Sequence, residues 1–101
     1  MAIIRVSGPN KPSPLAEKRA AESIIYSILL DEILDKGELV ISIKSVSSKV
    51  AVETPRIRQG KIIELRVPPS TSANMDGNTT ILFLTNLGNV RAAVFTIRIH
   101  T

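Results

Sequence analysis

Asp31, Glu32, Asp35 and Glu38 form the densest cluster of chemistry-bearing side chains in the sequence. Read on a helix, Asp31 and Asp35 fall on one face at i, i+4 spacing, where two carboxylates could offer oxygen ligands to a hard cation such as Mg²⁺ or Ca²⁺. No calcium-loop spacing accompanies them, so a solvated helix end is the simpler account. That account is incomplete, because carboxylates in the last turns of a helix oppose its macrodipole. A basic surface on the same or a neighbouring subunit would offset them.

Other candidates are sparser. His100 is the only histidine and there is no cysteine, so neither a zinc site with three or four ligands nor a serine triad with its oriented imidazole can be assembled from the pattern. Lys61 follows Gly60, but QGKIIE lacks the earlier glycine and the following Ser/Thr of a phosphate loop. Asn78-Thr79-Thr80 fits a glycosylation triplet, which a turn preference for Asn explains as well. No catalytic, cofactor-binding or metal-binding residue is assigned, and the chain does not read as an enzyme.

Arg56, Arg58, Lys61 and Arg66 flank one expected hairpin and are the candidate nucleic-acid contacts, since cationic side chains neutralise phosphates and release counterions. The chain carries a net charge of +4. Residues 1–43 hold five basic and six acidic side chains, whereas residues 44–101 hold eight and three, so the surplus lies on the expected strands. Against base stacking, Tyr26, Phe83 and Phe95 are the only aromatic residues.

The elements that must position these groups are read from periodicity. Residues 1–13 (MAIIRVSGPNKPS) read as an extended arm and linker, because prolines and a glycine cluster there. Ser13 as N-cap, Pro14 at the first helical position and Gly37 past the end bracket a long helix over residues 14–36. Its middle, IIYSILL, is apolar on nearly every side, which implies burial on more than one face. After Gly37 the alternation has period two: Leu39, Ile41, Ile43; Ile63, Leu65, Val67; and Phe95, Ile97, Ile99 mark core faces of strands. RQGK and NLGN are turns, and Pro55 marks an edge strand or a break. PPSTSANMDGN, residues 68–78, reads as the longest loop.

The fold expected from this pattern is mainly β with one long helix: an antiparallel, sandwich-like sheet of five to six strands preceded by an N-terminal arm and the helix, an α+β arrangement. Residues 14–101 form a single domain, as the length suggests. With no cysteine, disulfides are unavailable. The opening residues lack the apolar core of a secretion signal, and no run is apolar enough to span a bilayer. A cytoplasmic protein, or one incorporated into an assembled particle, is expected.

The stretch IIELRVPPSTSANMDGNTTILFLTNLGNVRAAVFTIRI, about a third of the chain, resembles the opening strands of immunoglobulin-like surface-protein modules, with a glycine-containing turn before a strand that ends in Asn-x-Gly. Such modules continue with further strands. The resemblance therefore implies that the sheets are completed by strands from the first half or from another copy.

An apolar surface in excess of what one small core can bury, a proline-rich arm and the lack of catalytic constellations together suggest a self-assembling structural protein, such as a virion, tail or filament subunit. Its expected partners are copies of itself, with other structural subunits as a further possibility. The candidate interface residues are Ile3, Ile4 and Val6 on the arm, Ile24, Ile25 and Ile28 on the helix, and the carboxylates of Asp31 and Asp35. A small basic nucleic-acid-binding accessory or regulatory protein is the alternative.

Overall fold

The computed structural model describes residues 2–7, 13–70 and 74–100. Among them there is no helix: the chain is all-β, with eight strands in two four-stranded sheets. In chain order the strands are β1 (Ala2–Arg5), β2 (Leu15–Arg19), β3 (Ile24–Leu29), β4 (Val40–Ser48), β5 (Arg56–Arg58), β6 (Ile62–Val67), β7 (Met75–Thr85) and β8 (Val90–His100). The first sheet runs β1-β3-β6-β5 and the second β2-β8-β7-β4. Each is mixed, because β1 lies parallel to β3 and β2 parallel to β8 while the other pairs are antiparallel.

This overturns the α+β expectation, and the reason lies in IIYSILL. Ile24, Tyr26, Ile28 and Leu30 point into the sandwich, while Ile25, Ser27 and Leu29 point outward. β3 has strands on both sides, so a short continuous apolar run is a central strand here, a case that periodicity alone does not separate from a buried helix. Branched isoleucines favour that choice. LAEKR has strong helix formers, yet it forms β2 because pairing with β8 and burial of Ala16 and Lys18 override local preference. Ala20 and Ala21 form the turn between them. Pro14 opens an edge strand instead of a helix, its carbonyl accepting the Thr96 amide at 3.0 Å.

The acid-rich segment between β3 and β4 is a loop, and Gly37 does take the left-handed conformation read for it, φ 77°, but in a turn. Gln59 and Gly60, both at positive φ, lie in the three-residue turn 59–61 that closes the β5–β6 hairpin, with the Lys61 amide donating to the Arg58 carbonyl at 3.2 Å. Asn86 to Asn89 join β7 to β8, and this hairpin is the longest pairing of the molecule. Pro55 immediately precedes the short edge strand β5. β7 begins at Met75, inside the stretch expected to be loop; residues 71–73 of that stretch lie outside the described residues.

The core is the sheet-to-sheet interior. Ile4, Ile28, Ile63 and Leu65 from the first sheet meet Ile81, Phe83, Phe95 and Ile97 from the second, all at most 3% exposed. The strands that complete the two sheets come from the chain's own first half. The N-terminal segment changes sheets between β1 and β2, so Ile4 and Val6 fill the core instead of lying outside it. Met1 and residues 8–12 of the expected arm fall outside the described residues.

Candidate interaction surfaces

At one pole of the sandwich Glu38 is fully buried, and its carboxylate is the hub of a polar clamp. Thr85 Oγ1 donates to it at 2.6 Å, Asn89 Nδ2 at 2.8 Å, Arg91 Nε at 2.8 Å and the Asp35 amide at 2.9 Å. Burial opposes ionisation, but the donors from Arg91, Thr85, the Asp35 backbone and Asn89 outweigh it and hold the carboxyl at about 2. Arg91 also reaches Asp35 Oδ2 at 3.0 Å. The clamp ties the β3–β4 loop to the β7–β8 turn.

The remaining carboxylates of the cluster are spoken for within the chain. Asp31 pairs with Arg5 at 3.1 Å, and Glu32 accepts from the Ser7 hydroxyl at 3.1 Å. The basic surface expected to offset the acids is therefore Arg5 and Arg91 of the same chain. Because the segment is a loop, the helical i, i+4 spacing of Asp31 and Asp35 does not exist. Among the described residues no group of three or more His, Cys, Asp or Glu side chains is placed to hold a metal ion.

At the opposite pole, beside the β2–β3 turn, Lys18 is 2% exposed and has no carboxylate within ion-pair distance among the described residues. Its ammonium donates to the carbonyls of Arg19 at 2.8 Å and Ala20 at 3.2 Å, closing the turn from inside. His100 Nε2 lies 3.7 Å from Glu17 Oε1 at the rim of a cleft of about 410 Å³ that Lys18, Arg19 and Glu22 also line. Among the described residues no nucleophile is held by this imidazole.

The outer face of the first sheet carries the arginines. Arg58 pairs with Glu64 at 3.2 Å, whereas Arg56 and Arg66 have no carboxylate partner among the described residues. They line a cleft of about 340 Å³ with Ile25, Glu53, Thr54 and Glu64. Two guanidiniums so placed can hold carboxylate or phosphate oxygens. Lys61 is exposed in the turn at the far end of the hairpin, away from that cleft. Of the expected interface residues, Ile3 is 64% and Ile25 39% exposed on this face, Ile24 is half-buried at its end, and Ile4, Val6 and Ile28 lie in the core.

The outer face of the second sheet has the opposite character. Cross-strand pairs Leu84–Val90, Leu82–Ala92, Thr80–Val94 and Asn78–Thr96 fill the centre of β7 and β8, with Ser42, Ser45 and Ser47 beside them on β4 and Leu15 on β2. The β7–β8 pairs of all four rows lack charge, while exposed Lys44 stands at the β4 bulge between Ile43 and Ser45 beside them. In the next row Arg98 grips Asp76 through two bonds, 2.8 and 3.2 Å, with Glu17 of β2 on its other side. Leu82, Val90, Val94 and Leu15 are 37 to 54% exposed. Sequence reasoning missed this face, although the alternation in ILFLTNLGNVRAAVFTI carries it: the residues between the core positions are themselves mostly apolar.

Compared with known proteins, the chain matches no family model, and no curated protein matches it. No helix among the described residues is long and apolar enough to cross a membrane.

Proposed function

We propose that this protein is a self-assembling structural subunit, a β-sandwich building block whose work is to associate with copies of itself. The observation that carries the reading is the outer face of β7 and β8, where Leu82, Leu84, Val90, Ala92 and Val94 form an apolar patch within four uncharged cross-strand rows. Monomers seldom leave large contiguous apolar patches exposed, because each buried apolar Å² gains about 25 cal/mol on leaving water. The sandwich already has both its sheets closed over one core, so this face is not needed for folding. Its hydroxyl-rich flank on β4, with two register shifts, makes that edge a poor template for strand addition and favours contact through the face.

Light scattering coupled to size exclusion over a concentration series tests the reading. The wild-type mass is expected to rise above the 11.0 kDa of one chain, and Val94→Lys, an exposed change that leaves the core intact, is expected to restore the single-chain mass. A wild-type mass of one chain up to millimolar concentration overturns it.

A further inference from the structure

We infer that two copies pair face to face through their second sheets, about a two-fold axis that runs parallel to the strands between β7 and β8. This rests on the self-association proposed above and adds which surfaces meet, in what register, and why the contact closes at two.

Three properties of the face select this pairing. The first is charge. An in-plane two-fold axis perpendicular to the strands either lays apolar rows over the Asp76–Arg98 row, burying charge against leucine, or, shifted to avoid this, sets Leu84 and Val90 over Asn78 and Thr96 and leaves the charged row without a partner. An axis along the strands keeps every row at its own height, so apolar rows meet apolar rows. The second is complementarity. With the axis between β7 and β8, each β7 overlies the partner's β8, and Asp76 comes opposite the partner's Arg98 at both ends of one symmetric exchange. The order acid on β7, base on β8 is what makes the row self-complementary.

The third is size. In the same register Leu82 overlies the partner's Ala92, a large side chain over a small one, and Thr80 overlies Val94. Alternation of large and small lets two sheet faces interdigitate at the usual spacing of about 10 Å. β7 and β8 span five rows, β4 three and β2 two; at strands about 4.8 Å and rows about 7 Å apart the projected footprint is about 500 Å² before side-chain relief is counted. A standard interface takes about 800 Å² from each partner. The first sheet offers no equivalent run of uncharged rows, since Arg56, Arg58, Glu64 and Arg66 occupy the outward rows of β5 and β6.

The test uses the symmetry. Asp76→Arg alone faces the partner's Arg98 with like charge, and Arg98→Asp alone faces the partner's Asp76 likewise; each is expected to weaken self-association at least tenfold in sedimentation equilibrium. An equimolar mixture of the two variants is expected to recover the wild-type affinity as a mixed dimer, because each new charge then meets its opposite. Loss of the intrachain Asp76–Arg98 pair is common to both variants and would not be mended by mixing, so recovery separates pairing from folding. A wild-type dimer that is indifferent to both changes, or variants that stay monomeric when mixed, would overturn this pairing while leaving self-association standing. A wild type that never exceeds one chain would overturn both.

Discussion

Glu38 sets the acid limit of the molecule. Its carboxyl titrates at about 2 in the folded chain, against the ordinary value of 4.5. A carboxyl depressed on folding contributes stability that is fully present above the unfolded value and is lost as pH falls towards the folded one. The thermal midpoint is therefore expected to hold from neutral pH to about pH 5 and then to drop between pH 4.5 and 2, with Asp76, also depressed, chiefly by its Arg98 hydrogen bonds, adding to the fall. Glu38→Gln should lower the midpoint at pH 7 and flatten that acid slope; an unchanged slope, read by circular dichroism melts across the range, would remove Glu38 from this role. Gly77 is a second critical position. It is buried in β7, and a Cβ built there would stand 2.5 Å from Val50 Cγ1. Valine has no flexible end to swing away, so Gly77→Ala is expected to cost about 1–3 kcal/mol in urea unfolding, the range for overpacking a tight core.

Among the elements, β1 matters beyond its length. Ile4 is 3% and Val6 1% exposed, and deletion of residues 1–6 would uncover the edge of β3 beside Ile28 as well as remove both side chains. At about 1.5–3 kcal/mol per buried aliphatic side chain the loss is about 3–6 kcal/mol, which a urea midpoint will register; a truncated chain as stable as the full one would show that β1 is only an appendage. Of the strands after Gly37, β6 and β8 were legible because their core faces alternate strictly, as in Ile63-Glu64-Leu65-Arg66-Val67, whereas the face of β4 was misread: Leu39 and Ile41 are exposed and Val40 is buried, because the strand shifts register between Val40 and Ser42. The first half was not, and for two physical reasons. LAEKRAAE contains the residues that favour helix most, and only long-range pairing with β8 reverses the preference. IIYSILL is apolar at both parities, so its period is hidden. Parallel pairing conceals such strands further, since neither β1 nor β2 is joined to its partner by a turn that the sequence could advertise. The site fared similarly: the carboxylates of residues 31–38 stood out as a cluster, but their counterions, Arg5 and Arg91, are remote in sequence and become partners only through the fold.

At the scale of the whole molecule, the two outer faces divide the chemistry. Arginines and isoleucines share one, and hydroxyls and aliphatic side chains share the other. The proposed pairing through the second would leave the first open on both sides of a dimer, pointing in opposite directions. The direction of the terminal strands has a consequence of another kind. β1 starts, and β8 ends, beside the turn that joins β2 to β3, so Ala2 and His100 lie at the same pole while the Glu38 clamp holds the other. Tension applied between those two residues would not shear the sheets along their length. It would peel β1 from β3 and β8 from its neighbours one hydrogen bond at a time, so force applied between Ala2 and His100 is expected to open the sandwich gradually.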